Sequence, residues 1–171
     1  MSSKITFRLA DSQDQAFLTE MLLEAVNWSE VRLSREEVEA DPQLARYVEG
    51  WPRRGDIGVI AVADERPAGA AWLRFLNAAD PGYGYVTDDI PELSMAVVAS
   101  YRRRGIGRAV FRKIATQAQS RGIEAISLSV EDGNPAELLY TSEGYQRHRR
   151  DSTSITLVKT LTPHRSPFHE Q

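Results

Sequence analysis

The chain has 171 residues, 42% of them hydrophobic and 26% charged, with a formal net charge of −3; that suits one domain with a substantial core and gives no reason to expect nucleic acid as the main partner. There is no cysteine, which excludes disulfides, thiolate metal sites and a cysteine nucleophile. No apolar run approaches the roughly 20 residues of a membrane span, and Met1-Ser2-Ser3-Lys4 leads into a strand pattern, not a signal peptide, so a cytoplasmic protein without a membrane partner is expected.

In chain order, Ile5 to Leu9 alternates and predicts a first strand. Asp11 or Ser12 is placed to cap a helix with Phe17, Leu18, Met21, Leu22, Ala25 and Val26 on one face. Ser34 and Glu37 form a capping-box pattern for a second helical region, interrupted near Pro42. Residues 50–55 read as a loop. Ile57 to Ala63 and Ala68 to Leu76 predict a hairpin closed by a turn over 64–67. A loop rich in Gly, Pro and Asp spans 77–89, and Leu93 to Val98 is the fourth strand. A helix follows to about Ser120, ended by Gly122. Ala125 to Val130 is the fifth strand, and Asn134-Pro135 opens a short helix to Ser142 with proline at its first position. Residues 144–150 and 154–161 predict a final hairpin, and 162–171 a flexible tail. The sum is β-α-α-β-β-β-α-β-α-β-β: a single α/β domain over 1–161, with a mixed, mostly antiparallel sheet of about seven strands and about four helices.

The stretch from Arg102 to Arg108, Arg-Arg-Arg-Gly-Ile-Gly-Arg, links the fourth strand to that long helix. A strand, a glycine turn and a helix start together aim free N–H groups and a helix dipole at an anion. Gly105 and Gly107 let the backbone approach a phosphate closely. From Leu93 to Ile123 there are six arginines, Lys113 and no acid. This local basic field in an acidic chain fits an anionic small ligand.

Arg102-x-x-Gly105-x-Gly107 resembles the acetyl-CoA signature of the GNAT superfamily of N-acetyltransferases, and Asn134-Pro135-Ala136-x-x-Leu139-Tyr140-x-x-x-Gly144-Tyr145 resembles its second conserved segment. The element order agrees over roughly residues 4–160. The resemblance implies a GNAT-like acyl-CoA N-acyltransferase fold and acetyl-CoA as cosubstrate, with no metal. Arg102, Arg103, Arg104, Gly105, Ile106, Gly107 and Arg108 would cradle the pyrophosphate. Met95, Val97 and Val98 would lie along the pantetheine arm, with an amide near Val97 or Val98 polarising the thioester carbonyl. Asn134 would hydrogen-bond the arm, and Tyr140 would act as general acid beside the sulfur.

An alkylammonium has no lone pair at neutral pH, so its acetylation needs a base. Glu92, opening the fourth strand, is the candidate, directly or through water. Asp88 and Asp89 are candidates for attracting a cationic acceptor, and Tyr83, Tyr85, Trp28 and Trp51 for lining its pocket, although core packing suits the tryptophans better. With no cysteine, direct transfer in a ternary complex to a primary amine is the simplest route, and the acidic 80–92 region favours a small cationic acceptor. The histidines, His148, His164 and His169, lack metal-ligand spacing. A dinucleotide site is disfavoured because Val110 stands where a third glycine belongs. A non-catalytic acyl-CoA-binding module is the alternative from another class. Dimerisation, common among similar proteins, is compatible with the last hairpin and tail.

Overall fold

The computed structural model describes residues 4–161. Seven strands form one sheet: β1 (Ile5–Leu9), β2 (Ile57–Ala63), β3 (Arg66–Arg74), β4 (Glu92–Val97), β5 (Ala125–Glu131), β6 (Gln146–Arg150) and β7 (Ser154–Thr160). Five helices accompany them: α1 (Gln15–Val26), α2 (Arg35–Ala40), α3 (Pro42–Ala45), α4 (Ile106–Ser120) and α5 (Ala136–Ser142). The order across the sheet is β1-β2-β3-β4-β5-β7-β6, and every neighbouring pair is antiparallel except β4 and β5. The expected tail, 162–171, lies outside the described residues.

The sheet separates two apolar layers. On one face α4 and α5 pack Val110, Phe111, Ile114 and Tyr140 against Val59, Leu73 and Leu128. On the other, α1, α2 and the segment after α3 pack Leu18, Met21, Val38 and Trp51 against Ile60 and Trp72. Strands β2 and β3 are buried almost throughout because both faces are covered.

Local departures from the sequence expectations have local causes. The first helix starts at Gln15, without a side-chain cap, because Asp14 is taken by Arg8 through two 2.8 Å bonds, while Asp11 turns the chain. The second helical region is two helices, since Asp41 ends α2 and caps α3 by accepting from the Gln43 N–H at 2.9 Å. The hairpin turn is two residues, Asp64 and Glu65, with φ of 52° and 62°. That left-handed pair matches the twist of the flanking strands. Pro67 therefore sits inside β3, tolerated where the β2–β3 register shifts. Ser34 does cap α2, accepting from the Glu37 N–H at 3.2 Å. Ser34→Ala is expected to lower stability by about 1 kcal/mol in chemical denaturation.

The two halves of the sheet barely touch. Strands β4 and β5 pair only at Glu92 and Ser127, with the Ser127 N–H donating to Pro91 O at 3.1 Å, and then diverge. The far edge is guarded: every residue of β6 is exposed, four of the five are Arg or His, and the register slips between Arg147 and Arg149.

Candidate active site

A cleft of about 770 Å3 occupies the divergence of β4 and β5. Its floor is the β4 backbone. The Val98 N–H donates to Ala68 O at 2.8 Å, so the antiparallel alternation directs the N–H groups of Leu93, Met95 and Val97 away from β3, into the gap. Of the two residues expected to offer a polarising amide, Val97 or Val98, the Val98 N–H is already bonded and Val98 does not line the cleft, which leaves Val97 as the available donor.

One end of the cleft is the Arg102–Arg108 turn. Arg103 and Gly105 both adopt left-handed conformations, with φ of 63° and 78°. None of the N–H groups from Arg103 to Arg108 is hydrogen-bonded to another described residue. Gly105 stands at the N-terminus of α4 with no side chain to cap it. Alternating left-handed residues and an uncapped helix start make a concave nest of donors. The arginine side chains contribute less than their number implies. Arg102 is paired with Glu24 at 2.8 Å, Arg108 with Glu143 and Ser142, and Arg104 lies 5.3 Å over the Tyr101 ring. Arg104 and Arg108 do not line the cleft, whereas Arg102, Arg103, Gly105, Ile106 and Gly107 do.

The opposite wall comes from the β5–α5 segment. Asn134 accepts from the Ala136 N–H at 3.0 Å through Oδ1, which shapes the start of α5; its amide nitrogen makes no hydrogen bond to another described residue. Tyr140 packs its ring against Phe111 and Tyr145, at 5.6 and 6.0 Å between centroids. Its hydroxyl has no hydrogen bond to another described residue. Burial pushes the Tyr140 phenol up to about 12, so it stays protonated and donating across the neutral range.

Glu92 lies where β4 and β5 last touch, only 4% exposed. Its Oε1 accepts from the Tyr47 hydroxyl at 2.7 Å and from the Gly84 N–H at 2.8 Å, while Oε2 is buried with no hydrogen-bond partner among the described residues. Burial raises its carboxyl above the ordinary range, opposed by the hydrogen bonds from Tyr47 and Gly84 and by Arg46 and Arg149. Two glycines permit this enclosure: a Cβ at Gly82 would lie 1.9 Å from Glu92 Oε2, and one at Gly84 2.6 Å from the backbone of Leu128. Of the other acceptor-side candidates, Trp28 and Tyr83 line the cleft. Trp51 is core, Tyr85 hydrogen-bonds Asp88, and neither Asp88 nor Asp89 reaches the cleft. Sequence reasoning missed Tyr47, Asp41 and the Arg32–Glu131 pair, all of which line it. The Gly82-Tyr83-Gly84 spacing was the one local signal that something is closely wrapped there.

A family model described as the acetyltransferase (GNAT) family matches residues 21–145. The chain belongs to that family. Solved GNAT-like structures agree in fold. YncA, a putative acetyltransferase from Salmonella typhimurium solved with its cofactor acetyl-CoA, is 21% identical with a TM-score of 0.68, covering 95% of this chain and 97% of that one. PaiA N-acetyltransferase from Thermoplasma acidophilum, in complex with coenzyme A, is 17% identical with a TM-score of 0.66, covering 92% and 99%. The ribosomal-protein-S18-alanine N-acetyltransferase from Escherichia coli is 17% identical with a TM-score of 0.67, covering 98% and 100%. At these identities the likeness is one of fold, and the mixed sheet of seven strands is common ground. No curated protein gives a significant sequence match. Within this GNAT chain, no helix among the described residues is long and apolar enough to cross a membrane.

Proposed function

We propose that this chain, as one domain over residues 1–161, is an acetyl-CoA-dependent N-acetyltransferase that passes the acetyl group directly to a small primary amine. The observation that carries this reading is the divergence of β4 and β5. Open N–H groups along β4 run into the donor nest at the start of α4, a track suited to a long ligand with a polyanionic end. Asn134 would add its amide to the arm, and the Val97 N–H would polarise the thioester carbonyl. In the transfer, the amine lone pair forms the new C–N bond and the C–S bond breaks. Tyr140 gives the departing sulfur its proton, and Glu92 is the final acceptor of the proton that the amine loses.

The acceptor end favours a cationic molecule with an apolar body. Trp28, Leu33 and Tyr83 line it beside the carboxylates of Asp41 and Glu92, and Arg32, which also lines the cleft, is already paired with Glu131 at 2.7 Å. A nucleic-acid partner gains no support from β6, where Arg147, Arg149 and Arg150 are each paired with a carboxylate.

Calorimetry with acetyl-CoA, followed by a panel of benzylamine, 1,4-diaminobutane and short peptides with free N-termini, tests the reading. Low-micromolar binding and turnover of a small amine are expected. Binding without turnover on any amine would favour a non-catalytic acyl-CoA-binding role, and no binding would end the assignment. Glu92→Gln is expected to lower turnover about 100-fold. Because the raised carboxyl must be ionised to work, the wild-type rate should climb with pH through that elevated value. A raised native pKa also means that Glu92 costs stability as pH rises through it, so Glu92→Gln should melt higher than wild type on the alkaline side.

A further inference from the structure

Glu92 borders the cleft, but its carboxylate oxygens are poorly placed to meet an amine directly. Oε1 already accepts two hydrogen bonds, and Oε2 is sealed behind Gly82 with no solvent exposure. The side chain that touches both this carboxylate and the cleft is Tyr47. Its hydroxyl donates to Glu92 and accepts from the Tyr83 N–H at 2.8 Å, which leaves one oxygen lone pair uncommitted. Its position is held from several sides. The Trp72 indole donates to Tyr47 O at 2.9 Å, Arg74 donates to the preceding carbonyl of Arg46 at 2.9 Å, and the Tyr83 ring stacks on its own at 6.5 Å.

We propose that Tyr47 is the proton relay of the acetyl transfer, standing between the acceptor amine and Glu92. As the ammonium N–H bond breaks, a new O–H bond forms on the Tyr47 oxygen. The proton that Tyr47 already carries moves to Glu92 Oε1. The phenol is neutral before and after, the amine gains its lone pair, and Glu92 ends as a carboxylic acid. No phenolate is formed, so the burial and the Glu92 charge that raise the Tyr47 phenol do not oppose the exchange. The groups facing this pair from its surroundings are Arg46 after α3, Tyr83 in the 77–91 loop and Arg149 on β6.

The inference rests on the acetyltransferase reading, and its test separates the two. Without any acceptor, a carbon-13 NMR titration of Glu92 in the apo protein should show its pKa rising by about one unit in Tyr47→Phe, because the carboxylate loses a donor. An unchanged pKa overturns the relay whatever the protein acetylates. With acetyl-CoA and 1,4-diaminobutane as probes, Tyr47→Phe should lose about 100-fold in kcat at neutral pH and recover as the free amine becomes abundant. The Tyr47→Phe/Glu92→Gln double variant should be no slower than either single one. A Tyr47→Phe rate within about threefold of wild type, or losses that multiply, overturns the relay. Should Tyr47→Phe melt too low to assay, a proton inventory on the wild type decides: curvature from two protons in flight supports the relay and a straight line overturns it. Failure of the acetyltransferase reading shows separately, as wild-type protein that does not bind acetyl-CoA.

Discussion

Gly107→Glu is expected to remove acetyl-CoA binding, by at least about 100-fold in calorimetry or about 2.7 kcal/mol, while leaving the melting temperature in place. The two halves of that result come from different physics. The nearest neighbours of a Cβ at Gly107 would be Leu139, Met95 and Val97, at 3.7, 3.8 and 3.8 Å, which is ordinary contact, and its backbone is not left-handed. The apo protein therefore accepts a side chain here, and a carboxylate near the N-terminus of α4 interacts favourably with the helix dipole. The same three neighbours line the cleft, so the longer side chain projects into it and competes for the α4 N–H groups with any phosphate. Gly105→Ala should behave in the opposite way. With φ at 78° and nothing within 4 Å of an added Cβ, its cost is conformational, about 1 kcal/mol of stability. Loss of folding in Gly107→Glu, or retained affinity, would contradict this account of the turn.

The largest loss of stability is expected from Asp56→Ala. Asp56 and Arg74 form a bidentate pair, with bonds of 2.7 and 3.2 Å, and their side chains are 2% and 1% exposed. Arg74 spends its remaining nitrogen on Arg46 O and Glu49 O, at 2.9 and 2.7 Å, and lies 5.8 Å from the Trp51 ring centre. Removing the carboxylate strands a guanidinium in the interior, a change that costs about 3–5 kcal/mol. Denaturant titration should show that loss, with a melting temperature lower by roughly 10 °C. Replacing both partners with apolar residues should cost less than Asp56→Ala alone, because the stranded charge, and not the missing attraction, dominates. A loss under about 1 kcal/mol for Asp56→Ala would mean that the pair is far wetter than its burial indicates.

What was legible in the sequence was what neighbours along the chain decide. The alternation of β1, the apolar run of β2 and the glycine turn before α4 are each specified within about ten residues, and their existence was readable. The second helical region split where Pro42 stands, and the capping pattern at Ser34 held, because both depend on residues two or three apart. Side-chain destinations were not readable. Arg102 looks like a phosphate ligand in its own segment, yet its partner Glu24 lies 78 positions away. Glu92 looks like a strand-edge acid, yet Tyr47, 45 positions earlier, reaches its carboxylate. Pairings at that distance depend on the crossing of whole elements, which no local pattern encodes. The choice between the Val97 and Val98 amides stayed open for a subtler reason: the parity of a strand, which decides which amides face the gap, turns on a register shift of one residue.

The single rung between Glu92 and Ser127 has a mechanical consequence. The four strands β1 to β4 and the three strands β5 to β7 are two plates riveted at one point, and the helix α4 and Phe111–Tyr140–Tyr145 cluster serve as the brace behind them. A ligand that takes up the open amides of β4 fills the seam as an extra strand would. Occupancy would then add stiffness where one rung alone holds. By the strands alone the seam rests on that one rung, and a bound arm would complete the sheet that they leave open.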